Sequence, residues 1–176
     1  NNLVQAENYD RITSNKVKQR QQSLRGTNID LNVILNDKEL TTALKEFMLK
    51  KQAFENLAFW VEAEGIKYFA VDERKSKAID VVKRYFGPHC PVQVNVDKAD
   101  KSQLQALVMT QSNPCEPNIF TPCQDFVWGM IAFDIIPKFL ATDNGAKLVA
   151  KHQAKKKPTK NKAAKEWLSD LQKWIL

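Results

Sequence analysis

Apolar residues recur at helical spacing along most of the chain, beginning near Asn36. A helix capped by Asn36 or Asp37 has its apolar positions three or four residues apart, at Leu40, Leu44, Phe47 and Met48. The next stretch, AFENLAFWVEAEGIKYF at 53–69, has an inner face of Phe54, Leu57, Trp60, Val61 and Ala63 or Glu64. Its first turn carries the polar pair Glu55-Asn56, which a helix built for burial does not need.

Three further helices are predicted downstream. Asp72 can cap the first, which has the apolar face Ala78, Ile79, Val82, Tyr85 and Phe86 and stops at Gly87-Pro88. Asp100 or Ser102 can cap a short second helix, with Leu104, Leu107 and Val108 inside. Thr121-Pro122 starts the third, whose predicted buried stripe is Phe126, Val127, Met130 and Phe133 and which Pro137 ends or kinks.

The remaining segments are simpler. Residues 90–97 alternate like a strand, but no second strand is available for pairing, so we interpret them as an extended connector. Residues 110–122 contain three prolines and are predicted to be loop. A final amphipathic helix carries Ala164, Trp167, Leu168, Leu171, Trp174 and Ile175 on one face. The pattern therefore predicts an all-α protein of about eight or nine helices, most of them short.

Composition and charge divide the chain into three parts. The net charge of +7 is concentrated in residues 143–176, which hold nine lysines against three acidic residues. We therefore expect a polar leader at 1–29, a domain at 30–142, and a Lys-rich segment with its amphipathic helix at 143–176. The nearly neutral body argues against nucleic-acid binding. The basic part could meet an anionic membrane or an acidic partner, or be a solvated segment.

Candidate chemistry is sparse. Three cysteines, Cys90, Cys115 and Cys123, without a signal peptide at the start of the sequence fit reduced thiols in a cytosolic protein. Together with His89 they fit no zinc spacing. The five glycines form no phosphate-binding loop. We expect no cofactor, no metal and no nucleotide site in this chain, and no catalytic residue of its own.

Six stretches of the sequence resemble, in the right order, the regulator of G-protein signalling (RGS) domain family. ENLAFW at 55–60 resembles the family's E-N-x-x-F-W signature, and it is preceded by DLNVILNDKELTTALKEFM at 30–48, which resembles the family's preceding helix pair. KAIDVVKRYF at 77–86 and CPVQVNVD at 90–97 are similar to its next helix and connector. FTPCQ at 120–124 and DIIPKFL at 134–140 are similar to F-D-x-A-Q and D-S-Y-P-R-F-L.

The resemblance implies a bundle of about nine helices, here with an additional C-terminal helix. It implies a protein that binds activated Gα subunits and accelerates their GTP hydrolysis by steadying the switch loops, which ends the signal. The implied location is cytoplasmic, with peripheral attachment to the plasma membrane as a second expectation. The implied Gα-binding positions are Glu55, Asn56, Leu107, Met130, Asp134 and Lys138.

Two departures from the family pattern leave an alternative open. Leu107 stands where the family usually has an asparagine that touches the switch glutamine, and the loop at about 110–119 is longer than usual. Lys138 replaces an arginine and loses its bidentate fork. The alternative is an RGS-like scaffold that binds a partner or an anionic membrane without accelerating hydrolysis.

Overall fold

A computed structural model describes residues 31–87, 89–90, 92–94, 96, 98–110, 115–154 and 164–176. The predicted leader at 1–29 and the middle of the Lys-rich segment, residues 155–163, lie outside the described residues. Within the described ranges every regular element is a helix, which confirms the all-α class. None of the helices in these ranges is long and apolar enough to cross a bilayer.

The α-helices are numbered here in chain order. They are α1 (Leu31–Leu35), α2 (Lys38–Lys50), α3 (Phe54–Gly65), α4 (Val71–Tyr85), α5 (Lys98–Thr110), α6 (Thr121–Met130), α7 (Ile136–Leu140), α8 (Asp143–Ala154) and α9 (Ala164–Ile175). A 3₁₀ turn, Ile66–Tyr68, follows α3, and a π turn, Ile131–Ile135, joins α6 to α7.

The centre of the fold is α3, whose Phe59 was absent from the predicted inner face. Phe59 is completely buried and meets Tyr85, Phe86 and Phe120 edge-on or nearly so, with ring centroids 5.6, 5.1 and 6.1 Å away. Such edge-to-face contacts are favourable beyond the area they bury. Phe59 thereby links α3 to the end of α4 and the start of α6.

Several predicted helix starts were wrong by a few residues. Asp37 does cap α2, because its Oδ1 accepts from the Leu40 N–H at 3.0 Å. Asp72, in contrast, lies inside the first turn of α4, which begins at Val71 without a side-chain cap. The α5 helix begins at Lys98, before Asp100 and Ser102, and α6 begins with Thr121 as its first residue rather than its cap.

The predicted stripe of the helix after Thr121 was also partly wrong. Phe126 is 44% exposed, and the buried positions include Cys123, Gln124, Val127, Ile131 and Ile135. Pro137 does not end the helix. The π turn at Ile131–Ile135 precedes it, and helical dihedrals continue from α6 into α7. Because proline lacks an N–H, a locally widened turn lets the chain pass it without losing the helical path.

In the described parts of the 143–176 region, residues 143–154 and 164–176, two helices pack on the domain. The first, α8, was not predicted, since it carries few large apolar residues, Leu148 and Val149, to mark a buried face. It packs on α2 and α7, and Lys151 pairs with Glu39 at 2.8 Å while His152 Nδ1 lies 3.0 Å from Asp37 Oδ2. The second, α9, has the predicted face, and Leu168, Leu171 and Ile175 are buried on the domain.

Candidate functional site

Glu55 and Asn56 lie on the first turn of α3, directly after the tight connection from α2. Gln52 takes a left-handed backbone conformation in that connection, with φ of 53°. Asn56 is only 5% exposed. Its Nδ2 donates to the Ala53 carbonyl at 3.2 Å and to Glu55 Oε1 at 3.1 Å. Asn56 thus ties the half-buried Glu55 carboxylate to the start of the helix.

Met130, Asp134 and Lys138 follow one another at intervals of four residues along the 121–140 helix. Lys138 Nζ lies 2.6 Å from Asp134 Oδ1, and both side chains are exposed. The ion pair foreseen from the spacing is therefore present. Exposed pairs of this kind contribute little to stability, so this one leaves a fixed pair of opposite charges on the surface. Met130 is half-buried and packs against the core.

The packing of α3 on α6 brings these two groups toward one another. Gln124 Nε2 donates to the Trp60 carbonyl at 3.3 Å and to Glu64 Oε2 at 3.1 Å. Further along, the rings of Trp60 and Trp128 lie 4.8 Å apart. Residue numbers therefore rise along α6 as they fall along α3, from Gln124 beside Glu64 to Trp128 beside Trp60, so the two helices run antiparallel. This register carries the π turn with Asp134 toward the α3 turn that holds Glu55.

Leu107 lies on a different helix from the other candidate residues. It lies on α5, which packs mainly on α4. The side chain of Leu107 is 42% exposed, so the prediction that it lies on the buried face of this helix was wrong. Leu104 and Val108 occupy the inner face instead, one turn apart. The nearby amide, Gln105, donates from Nε2 to the Phe86 carbonyl at 2.8 Å and anchors α5 to the end of α4. Leu107 and Met109 leave an apolar surface at the end of α5.

Gln124 is the site residue that sequence reasoning missed. Its side chain is buried and holds α3 against α6, so it positions the two candidate contact groups without being exposed itself. A signal was present, because the glutamine belongs to the FTPCQ motif. Hydrophobic periodicity gave no reason to place a polar side chain in the interior.

Three charged residues, Glu64, Lys67 and Asp125, surround Gln124 near the C-terminal end of α3. Lys67 Nζ lies 2.6 Å from Glu64 Oε2, the same oxygen that accepts from Gln124. Burial raises the pKa of the neighbouring Asp125 carboxyl, and the charge of Lys67 partly opposes that shift. In the described residues no group of three or more His, Cys, Asp or Glu side chains could hold a metal ion. The three cysteines are thiols rather than disulfides.

Several known proteins are similar to this chain in sequence. Regulator of G-protein signaling rgs-7 of Caenorhabditis elegans is 30% identical over 115 residues, which make up 64% of this chain and 14% of the worm protein. Human Regulator of G-protein signaling 10 is 26% identical over 114 residues, 64% of this chain and 60% of the human protein. The Drosophila melanogaster protein loco is 25% identical over 111 residues, 62% of this chain and 7% of the fly protein.

Each alignment spans less than two thirds of the relative's own length. The model of the regulator of G protein signaling domain matches residues 30–144, which is well over half of the sequence. The matched range runs from just before α1 to the start of α8 and contains every candidate contact residue. This chain belongs to the regulator of G protein signaling domain family.

Proposed function

We propose that this protein binds an activated Gα subunit and accelerates its hydrolysis of GTP, which terminates G-protein signalling. The observation that carries the proposal is the pairing of two polar groups on packed helices. Asn56 holds Glu55 on the first turn of α3, and Asp134 pairs with Lys138 on the helix that packs against it. Family membership supplies the class of partner.

The proposed mechanism needs no catalytic residue from this chain. A Gα subunit carries its own arginine and a glutamine that orients the attacking water, and its slow step is limited by the mobility of the loops that hold them. A rigid surface that binds those loops in their transition-state geometry lowers the barrier, because it binds that state more tightly than the GTP-bound ground state. This protein is in that sense an activator of an enzyme.

Each group has a defined task in this mechanism. The Glu55 carboxylate accepts hydrogen bonds from a lysine or hydroxyl of the partner, and Asn56 keeps it from rotating away. Asp134 and Lys138 present both signs of charge at a fixed separation, so they can meet backbone N–H and C=O groups of a switch loop. Met130 supplies an apolar contact beside them.

Leu107 favours a second candidate function, a scaffold that binds Gα without strong acceleration. An exposed leucine can neither donate nor accept a hydrogen bond, so it cannot orient the switch glutamine that an asparagine at this position would touch. The two candidates share a binding surface. They differ in whether the transition state is bound more tightly than the ground state.

Single-turnover hydrolysis tests the proposal. Gα is loaded with GTP, and phosphate release is followed with and without this protein, across several Gα subtypes. The matched control replaces Glu46, an exposed acid on α2, with alanine. We expect acceleration by the native chain and by Glu46→Ala, and its loss in Glu55→Ala. Binding without acceleration would favour the scaffold, and an absence of both would refute the proposal.

The proposed location is the cytoplasmic side of the plasma membrane, where Gα subunits signal. An anionic membrane is a further proposed partner through the lysines of 143–176. The apolar face of α9 is buried on the domain. Any lipid contact would therefore depend on charge rather than on insertion of that face.

A further inference from the structure

The C-terminal helix α9 lies beyond the range that the family model matches, yet it packs directly on α2 and α3. Leu168, Leu171 and Ile175 are buried in that contact. Burying three aliphatic side chains contributes several kcal/mol in favour of docking, before the cost of ordering the chain. The helix is thus part of the folded domain.

Two hydrogen bonds and one close approach fix where α9 lies. Trp167 Nε1 donates to the Leu35 carbonyl at the end of α1, at 3.3 Å. Lys45 Nζ on α2 approaches the Trp174 carbonyl at 3.4 Å. At the end of α3, a Cβ added to Gly65 would lie 2.9 Å from Gln172 Nε2, so the glycine lets α9 come close. The helix is therefore held at both ends and against α3 between them.

The indoles connect α9 to both helices of the proposed Gα surface. Trp60 lies on α3, between Trp128 of α6 at 4.8 Å and Trp167 of α9 at 6.4 Å. Trp60 is five residues after Glu55, and Trp128 is two residues before Met130. A change in the position of Trp167 therefore acts on a side chain, Trp60, that packs between α3 and α6.

We infer that α9 is a strap that sets α3 against the 121–140 helix, with Trp167 as its positioning residue, so that Gα affinity depends on a side chain far from the contact surface. The inference rests on the proposed function. The strap acts by preorganisation, because a contact group held in place loses less freedom when the partner binds.

Three variants of α9 test the strap. Trp167→Ala removes the indole and its hydrogen bond, Trp167→Phe keeps a ring against Trp60, and Ser169→Ala is the control at an exposed position of the same helix. Affinity for Gα bound to GDP and aluminium fluoride is measured at a temperature at which circular dichroism shows each variant folded. We expect Trp167→Ala to weaken binding about tenfold, Trp167→Phe to restore part of it, and Ser169→Ala to match the native chain.

Native-state hydrogen exchange separates this role from general stabilisation and from failure of the proposed function. We expect Trp167→Ala to speed exchange of the amides of 54–60 more than those of α5, which α9 does not hold. Equal acceleration in both helices, or unchanged Gα affinity in folded Trp167→Ala, would overturn the strap. If the native chain binds no Gα, the proposed function fails, and the exchange pattern alone still decides whether α9 positions α3. If Trp167→Ala does not fold, Trp167→Phe undergoes both measurements under the same criteria.

Discussion

Asn56 illustrates how a residue of a binding motif can act from inside the protein. An amide on the first turn of a helix is expected to face solvent, where it could contact a partner directly. Its Nδ2 is instead directed to the Ala53 carbonyl and to Glu55. The pair is thus a unit in which Asn56 supports and Glu55 presents the charge.

Replacement of Asn56 by alanine is expected to affect both stability and binding. It removes two hydrogen bonds at a nearly buried position, which costs about 1–2 kcal/mol of unfolding free energy, and it releases the Glu55 carboxylate. Urea unfolding gives the first effect, and titration with Gα in the transition-state-mimic form gives the second. Glu46→Ala is the control. Normal affinity in a destabilised Asn56→Ala would show that the contact surface has been placed wrongly.

Leu107 provides the matching test for acceleration. Leu107→Asn adds an amide at an exposed position of α5, so its cost in stability is within about 0.5 kcal/mol. If the amide orients the switch glutamine, we expect single-turnover hydrolysis to become about tenfold faster, equivalent to ~1.4 kcal/mol of barrier. Met109→Asn, two residues further on and also exposed, is the control. An equal gain in both variants, or none in Leu107→Asn, would contradict this role for the position.

At the scale of the element, the sequence predicted that most of these helices exist but did not predict the residues at which several of them begin. The apolar faces of α2, α4 and α9 follow from spacing alone, since burial of one stripe determines them. Starts at Asp72, Ser102 and Thr121 were misplaced, because any polar residue near a first turn satisfies the cap pattern. The exposed Phe126 and the buried Gln124 were missed because the Trp60 carbonyl and Glu64, which decide their orientation, come from a distant segment.

The junction between α1 and α2 gives an element-scale prediction in acid. Burial raises the pKa of the Asp37 carboxyl, but the Leu40 N–H and His152 together outweigh burial and lower the pKa below its usual value of 3.8. A carboxylate with a lowered folded pKa stabilises the protein above its unfolded pKa, and this contribution is lost as pH falls through the folded pKa. The loss therefore lies below about pH 4.

Asp37→Ala is accordingly expected to lower the free energy of unfolding by about 1 kcal/mol at pH 7, as loss of a helix cap does. Below pH 4 the difference from the native chain is expected to shrink progressively. The measurement is urea unfolding of the native chain and the variant from pH 7 to pH 3. Asp80→Ala, an exposed acid on α4, is the control. A stability difference that stays constant down to pH 3 would show that the carboxylate charge at Asp37 contributes nothing.

At the scale of the whole molecule, sequence periodicity was enough for the all-α class but not for the place of α9. An amphipathic helix beside lysines can bury its apolar side chains equally well against a protein core or in a lipid interface. Only tertiary contacts decide between them, and here Leu35, Lys45 and Gly65 supply the contacts on the protein side. Periodicity also gave no spatial relation between Glu55 and Asp134, which lie 79 positions apart along the chain, and only the family resemblance predicted that they share a contact face.

The docking of α9 makes a specific prediction for anionic membranes. With the apolar face buried, attraction to lipid comes from the lysines, at about 1 kcal/mol for each one near the surface. Replacing Lys155, Lys156 and Lys157 by glutamine should then weaken co-sedimentation with phosphatidylserine vesicles by about 100-fold at low salt. Raising the salt to 0.5 M should do the same to the native chain, because screening shortens the reach of exposed charges.

Trp174→Ala distinguishes charge from insertion in the same assay. Trp174 is half-buried against the core and its carbonyl accepts from Lys45. We expect the variant to be less stable than the native chain but to bind anionic vesicles equally well. Neither protein is expected to bind phosphatidylcholine vesicles. Binding that survives high salt and disappears in Trp174→Ala would mean that α9 leaves the domain to enter the lipid, and that the strap opens at a membrane.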